Sequence, residues 1–569
     1  MNIRKGTIAY VAAFTFLSMF TTVKAQEVNQ FDVSKNLEIF NSIVKEAEMF
    51  YVDSIDVNAT VKRGIDGMLK GLDPYTEYIP EEEMEQFKLM TTGEYAGVGA
   101  IITAKDGKVM INEPYEGMPA ALAGLKAGDV LLTINGEDVS NTTVDQVSAK
   151  LKGQPNTKVK IKYLPYGEKK PREVEIMRKL IEINPVTYYG TFNNDSVGYI
   201  YLSGFTDKCS NEVRKALLDL KNNKKVSSLI LDLRGNGGGS LEEAIQILNM
   251  FVPKDQVVLS TKGKLKQWDR TYRTTQEPVD TVMPLVVLTS NGSASASEIV
   301  SGALQDLDRA VIVGDRTFGK GLVQSTRDLP YNGSLKVTIS KYYIPSGRCI
   351  QAIDYSHRNP DGSVSKVPDS LTTVFHTAAG RPVRDGGGIV PDFKVESPKQ
   401  PTISYYLVMN NEIFDFVNDW TSKRKQIAPI EEFVFTDEDY EGFKQFMKGR
   451  NFSYDRQSEK ALKNLKDIAE IEGYMDIASS EFKALEEKLQ PNLDRDLDKF
   501  KDQIKQLISL EIAKRYYFQK GEMIQSLKID NELQKALEVL SNQALYDKTL
   551  SAPVETAKPA EVSKTTEKK

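Results

Sequence analysis

Three serines alternate with small residues in one turn. They are Ser293, Ser295 and Ser297, within Pro284-Leu-Val-Val-Leu-Thr-Ser-Asn-Gly-Ser-Ala-Ser-Ala-Ser-Glu298. An apolar run leads into the turn and a helical pattern leaves it. A serine here is fixed by the strand before it and open to a carbonyl because its neighbours are tiny. It also lies beside helix N-terminal amides that favour an oxyanion. Ser297 equally suits a helix N-cap, so local chemistry leaves all three in competition. A serine nucleophile needs a base. The chain has two histidines, His357 and His376, both more than fifty residues beyond the turn, although triads do assemble from distant segments. The other base is Lys320, in Thr317-Phe-Gly-Lys-Gly321. Lysine is a base only when neutral; burial lowers its pKa, and moving it from ~10.4 to ~7 costs roughly 4–5 kcal/mol. Gln324, four residues on, shares a strand face with Lys320 by the period-two rule. It would orient the amine without adding negative charge. A surface lysine in a β-turn is the plainer reading of the same residues.

A second segment pairs with this chemistry. Ser228-Leu-Ile-Leu-Asp-Leu-Arg-Gly-Asn-Gly-Gly-Gly-Ser240 reads as strand, glycine loop and helix start, with Ser240 and Glu243 forming a capping box. Three readings stand: a nucleotide phosphate loop, an oxyanion hole, or a tight connection. The first fits poorly, because the Lys-Ser/Thr pair of a P-loop is absent and Ser240 replaces the last glycine of a dinucleotide fingerprint.

The elements that must position these residues follow from pattern. Residues 181–400 alternate strands (Val197–Leu202, Ser228–Leu233, Pro284–Thr289, Ala310–Gly314, Gly321–Ser325) with helices at Asn211–Lys221, from Leu241 and from about Glu298. Such alternation predicts a sheet with helices on its faces. Residues 96–180 form a small β module of short runs, with an Asn135-Gly136 hairpin signal. Residues 36–90 read as helices; Leu37, Phe40, Ile43, Val44 and Ala47 share a face, and a turn at Gly71–Tyr75 ends the stretch. Residues 401–550 are helical and charged. The spacing of Leu493, Leu497, Phe500, Ile504, Leu507 and Ile508 predicts one helix with a buried stripe. From Ser551 the tail cannot bury a core.

Composition bounds the rest. The 569 residues exceed one compact core, and 40% hydrophobic with 27% charged residues suit a globular protein. A net charge of −5 argues against nucleic-acid binding. Two cysteines, Cys209 and Cys349, rule out a disulfide framework or a CxxC metal site. Arg4 and Lys5 precede an apolar run from Ile8 to Phe20, then Val23-Lys24-Ala25, which reads as a secretory signal. The run is shorter than the ~20 residues a membrane span needs, and no other stretch could cross a bilayer.

Taken together the segments resemble the C-terminal processing peptidase family, the tail-specific proteases. The resemblance rests on Asn291–Asp306, on Arg309–Gln324, and on Leu231–Gly239 with Gly237 where proline or serine is commoner. It extends to Lys341–Gln351, Gly386–Asp392 and Leu72–Tyr78. It implies Ser295 as nucleophile, Lys320 as base, Gln324 as its orienting residue, and the amides of Ala296 and Gly238 as oxyanion donors. It implies an α/β, crotonase-like protease core with an inserted PDZ domain. Gly93–Ala100 and Met118–Gly136 look like that PDZ, with Val98, Gly99 and Ala100 as the loop that holds a peptide carboxylate. A PDZ domain captures a chain end by strand addition, and part of the module would also gate the site. The expected division is a signal peptide (1–25), an N-terminal helical region (26–92), the PDZ domain (93–180) and the peptidase core (181–400). A helical extension (401–550) and a disordered tail (551–569) follow. The expected activity is endopeptidase cleavage near the C-termini of exported, periplasmic proteins, without metal or other cofactor. Expected partners are protein substrates with accessible C-termini, a second copy of the chain or an adaptor protein, and no nucleic acid. The rivals are an inactive PDZ scaffold, a crotonase-like acyl-CoA enzyme, and a peptidase using His357 or His376.

Overall fold

The computed structural model describes residues 30–551 except 360–361, 397–399, 455–456 and 490–491. The expected signal segment and nearly all of the tail lie outside the described residues. Two units are described separately: one ends at Tyr78, the other begins at Ile79.

The first unit holds the helices Gln30–Phe50 and Val57–Lys70. Asp56 caps the second by accepting from the Ala59 amide. The turn after it is built by Asp73, whose Oδ1 accepts from the amides of Tyr75 and Thr76. The expected apolar stripe differs from a buried face: Leu37, Phe40 and Ile43 are exposed, and the first helix buries no residue.

In the second unit, the β module is an antiparallel sheet. Its strands run in the order Ala100–Lys105, Lys108–Pro114, Val130–Ile134, Lys158–Leu164, Arg172–Met177. Alternate residues Val109, Ile111, Val159 and Ile161 point into its core. Asn135 and Gly136 take the positive φ values of the expected hairpin turn (53° and 86°). Ala100–Lys105 is one of its two edge strands, and the helix Val144–Leu151 lies against it.

The central sheet orders its strands Tyr188–Phe192, Val197–Tyr201, Ser228–Asp232, Leu285–Thr289, Val311–Gly314, Phe393–Lys394. The first pair is antiparallel and the rest are parallel. Ser228–Asp232 and Leu285–Thr289 are buried at every position, which is why they read as unbroken apolar runs. Helices Cys209–Leu218, Leu241–Phe251 and Ala296–Asp306 cover one face. The other face is covered by Asn531–Ser541 and Gln543–Leu550, through Leu533, Ala536, Leu537, Val539 and Tyr546. These last helices were expected in the helical extension (401–550); in space they complete the peptidase layers, because a parallel sheet needs both faces covered.

Two further departures concern elements. Lys320 leads into Leu322–Asp328, which belongs to a separate antiparallel sheet with Ser334–Tyr343, Val257–Gly263 and Arg270–Arg273. The alternation of Leu335, Val337 and Ile339 with Lys336, Thr338 and Ser340 marks the long strand, which the segment pattern above omits. The helix expected across Leu493–Ile508 breaks at Phe500 into Leu493–Lys499 and Lys501–Leu527, although Leu497, Ile504 and Ile508 are fully buried. The extension also touches the β module. Phe414 packs with Met110, Ala127 and Val130, and Lys105 Nζ lies 2.5 Å from Asp415 Oδ2.

Candidate active site

The helix after the serine turn begins at Ala296, two residues before its expected start, so Ser295 rather than Ser297 is its N-cap. Ser295 holds φ 55° and ψ −111°, a conformation that a non-glycine residue keeps only when its surroundings impose it. The three serines separate by their partners. Ser293 Oγ donates to Leu233 O at 2.8 Å and accepts from the Ser290 amide. Ser297 Oγ donates to Asn236 O at 2.8 Å. Both are fully buried, stapling the turn to the glycine loop. Ser295 is half-buried, and its hydroxyl donates no hydrogen bond among the described residues; at most it takes part in the capping box with Glu298.

The lysine segment is fastened to this turn through backbone atoms. Glu298, fully buried, accepts at Oε2 from the amides of Ser295 and Lys320, both at 2.9 Å. Its Oε1 accepts from Thr317 Oγ1 at 2.5 Å and from the Gly319 amide at 2.8 Å. One carboxylate thus holds the serine and lysine segments in register. Burial pushes its carboxyl up from 4.5 to about 7, while the hydrogen bonds from Thr317 and the amides of Lys320, Ser295 and Gly319 pull the other way. The Tyr342 hydroxyl donates to Lys320 O at 2.7 Å and lies 3.2 Å from Ser295 O. The Phe318 amide donates to Ser293 O at 3.0 Å. Sequence reasoning missed Glu298, Thr317 and Tyr342. The first carried a signal, since Ser295 and Glu298 stand in the spacing of a capping box.

Gln324 departs from its expected geometry. A bulge falls between Val323 and Gln324, so the period-two rule does not run unbroken from Lys320. Its Nε2 donates to Thr338 Oγ1 at 3.1 Å, and it makes no hydrogen bond to Lys320 among the described residues.

The glycine loop lies directly against the serine turn. A Cβ on Gly238 would stand 2.8 Å from Ser295 Cβ and 2.9 Å from Ala296 N, and its φ is 97°. The Ala294 amide donates to Asn236 O. The Ala296 and Gly237 amides have no partner among the described residues, whereas the Gly238 amide donates to Asn236 Oδ1 at 2.9 Å. The arrangement suits oxyanion chemistry, with the Gly238 donor engaged by its own loop.

The histidines stand apart. His357 is exposed, with Nδ1 2.6 Å from Asp354 Oδ2 and 3.2 Å from Ser356 Oγ, a cluster of sequence neighbours. His376 is exposed in the strand Val374–His376. Neither bonds to the serine turn among the described residues. Cys209 and Cys349 are unpaired thiols. Among the described residues no group of three or more His, Cys, Asp or Glu side chains could hold a metal ion.

In the β module, Val98 O accepts from the Ala120 amide and Gly99 O from the Tyr115 amide. Gly99 has φ 74°, and a Cβ there would meet Met118 Cβ at 2.5 Å. Burial raises the Tyr95 hydroxyl to about 12, opposed by hydrogen bonds from the amides of Ala100 and Gly99.

A half-buried serine at a helix N-terminus stands against a glycine loop and is joined through Glu298 to a lysine segment, all on an α/β core. Residues 196–361 match Peptidase family S41, residues 110–164 a PDZ domain, and residues 403–540 the C-terminal helical domain of a probable PDZ-protease. The carboxy-terminal-processing protease of Bartonella bacilliformis is 34% identical over 352 residues, 61% of this chain and 80% of that protein. A probable CtpA-like serine protease of Staphylococcus aureus is 31% identical over 423 residues, 74% and 76% of the two chains. A photosystem II D1 C-terminal processing protease structure is 27% identical, covering 62% of this chain and 86% of that one, at a TM-score of 0.34. The chain belongs to the carboxy-terminal-processing protease family within peptidase family S41.

Proposed function

We propose that this protein is an exported, periplasmic endopeptidase that captures the C-termini of other proteins in its PDZ domain and cuts near them. Ser295 is the nucleophile, Lys320 the base and Gln324 the residue that orients the amine. The observation that carries the reading is the bracing of Ser295 and Lys320 by a shared carboxylate, while the hydroxyls of Ser293 and Ser297 are committed to backbone carbonyls.

Neutral Lys320 takes the Ser295 proton as Oγ attacks the scissile carbonyl carbon. The oxyanion is held by the Ala296 amide and by Gly238, once the Asn236 side chain yields its hydrogen bond. Lys320 then protonates the leaving amine, and water hydrolyses the acyl-enzyme. The side-chain oxygen of Gln324, Oε1, which accepts no hydrogen bond among the described residues, serves the lysine. The PDZ loop Val98, Gly99 and Ala100 holds the substrate carboxylate, and the edge strand Ala100–Lys105 pairs with its backbone. The chain divides as signal peptide 1–25, helical region 26–92, PDZ domain 93–180, core 181–400, extension 401–550 and tail 551–569, with a second copy or an adaptor as partner.

The test compares the mature protein with Ser295→Ala, Lys320→Ala and a His357/His376 double variant on an unfolded substrate with an apolar C-terminus. Both single variants should lose activity by ~10⁴-fold or more, and the histidine variant should keep it. Full cleavage by Ser295→Ala would sink the reading. Amidating the substrate's C-terminus should weaken processing; unchanged processing would remove carboxylate capture.

A further inference from the structure

The glycine loop is braced from a second side, by residues almost three hundred positions away. Arg234 precedes the loop and is largely buried. Its guanidinium meets Asp232 through Nε at 3.0 Å and Nη2 at 2.6 Å. The opposite edge forms a two-pronged pair with Asp530, Nη1 to Oδ1 at 2.9 Å and Nη2 to Oδ2 at 2.6 Å, and Nη1 reaches Glu532 Oε2 at 3.3 Å. Side-chain exposure is 19% for Arg234, 9% for Asp530 and 12% for Glu532. Asp232 also accepts from the Tyr199 hydroxyl at 2.6 Å. Asp530 is the N-cap of Asn531–Ser541, accepting from the Leu533 amide at 2.8 Å.

We propose that Asp530 and Glu532 are positioning residues for the peptidase reaction, holding Arg234 and through it the glycine loop that carries an oxyanion donor. The proposal rests on the reading of that loop as the oxyanion site. Docking of the C-terminal helices alone does not account for the cluster. Leu533, Ala536, Leu537, Val539 and Tyr546 already bury the apolar contact, and a buried ion cluster adds little stability over apolar packing. Its placement is what matters. Gly235 and Gly238 have positive φ values, 69° and 97°, so the segment has little conformational preference of its own. Asn236 is tied to the core by its Nδ2 bond to Leu202 O and by Ser297. Arg234 is the loop's upstream anchor, and half of its fork is satisfied only by the extension. A bidentate pair fixes orientation as well as distance, and oxyanion donors lose effect with small displacements.

Asp530→Asn tests this, because asparagine keeps the helix cap and removes the charge that faces Arg234. With a short chromogenic peptide, kcat should fall ~10- to 100-fold while KM stays within about twofold. Phosphonylation of Ser295 by a peptidyl diphenyl phosphonate should slow by the same factor. The double variant Arg234→Gln/Asp530→Asn should be no slower than Arg234→Gln alone, since Asp530 acts through the arginine. Tyr546 lies on the same helix pair and accepts a buried hydrogen bond from the amide of strand residue Leu285; Tyr546→Phe should lower Tm and leave kcat unchanged. Should Asp530→Asn fail to fold, Glu532→Gln is read the same way, with a fall of about two- to fivefold, in keeping with its longer contact. The proposal is overturned if kcat stays within twofold of wild type, if Tyr546→Phe loses as much kcat for the same Tm loss, or if the two substitutions add. If Ser295→Ala remained active, the oxyanion reading itself would fall, a separate outcome.

Discussion

The serine turn and the Val98–Ala100 loop of the PDZ domain, the proposed carboxylate holder, use the same raw material in opposite ways. In the proposed reading both offer backbone amides to a negative oxygen, each beside a glycine at positive φ, Gly238 in one and Gly99 in the other. The serine turn lies between two sheets and is braced by Ser293, Ser297, Glu298 and Tyr342. The PDZ loop opens onto an edge strand whose free side has no strand partner among the described residues. A transition state is stabilised only by donors that do not move as charge develops. A chain end must be able to enter and leave, and an unpaired edge is what strand addition needs.

Several substitutions would sharpen or break that contrast. Gly238→Ala should have the largest effect, a kcat loss of ~10²- to 10³-fold. The new methyl would press on Ser295 Cβ and the Ala296 amide at a φ that disfavours alanine; wild-type kcat would mean that the loop is not rigid. Glu298→Gln comes next, with kcat down by about 10²-fold, because an amide cannot accept from four donors at once. Stability measured by denaturant titration across pH gives an independent check. The native carboxyl, raised to about 7, keeps a proton that the unfolded chain loses near 4.5. Stability from this group therefore falls as pH rises between those values, by about 3 kcal/mol, and the glutamine variant should remove that slope. Gly99→Ala should act on binding instead. The crowding against Met118 should raise KM about tenfold for substrates with a free C-terminus and leave kcat unchanged; an equal loss of kcat would join the loop to catalysis. Tyr95→Phe should have the smallest effect, two- to threefold tighter peptide binding by calorimetry, since one competing acceptor leaves the Gly99 and Ala100 amides.

Much of the molecule was legible in the chain. The buried strands Ser228–Asp232 and Leu285–Thr289 announce themselves as apolar runs bounded by glycine and serine. The β module's strands follow alternation, and its hairpin follows Asn135-Gly136. Lys320 and Gln324 are a different case. The regular strand that would align them is interrupted by a bulge, and bulges leave no mark in a two-residue period. Glu298 stands in the spacing of an ordinary capping residue, and its other three donors come from Thr317, Gly319 and Lys320, about twenty positions on.

The chain by itself determined which residue types stand at the proposed site: a serine turn of small residues, a lysine between glycines and a glycine loop. Local sterics and hydrophobic periodicity suffice for that, since each depends on residues within a few positions. Only the tertiary structure decided which two serines donate their hydroxyls to backbone carbonyls and which does not, that one buried carboxylate joins two segments, and that the last helices cover the peptidase sheet and grip Arg234. Those outcomes rest on burial and on hydrogen bonds between distant residues, and neither has a signature in local spacing.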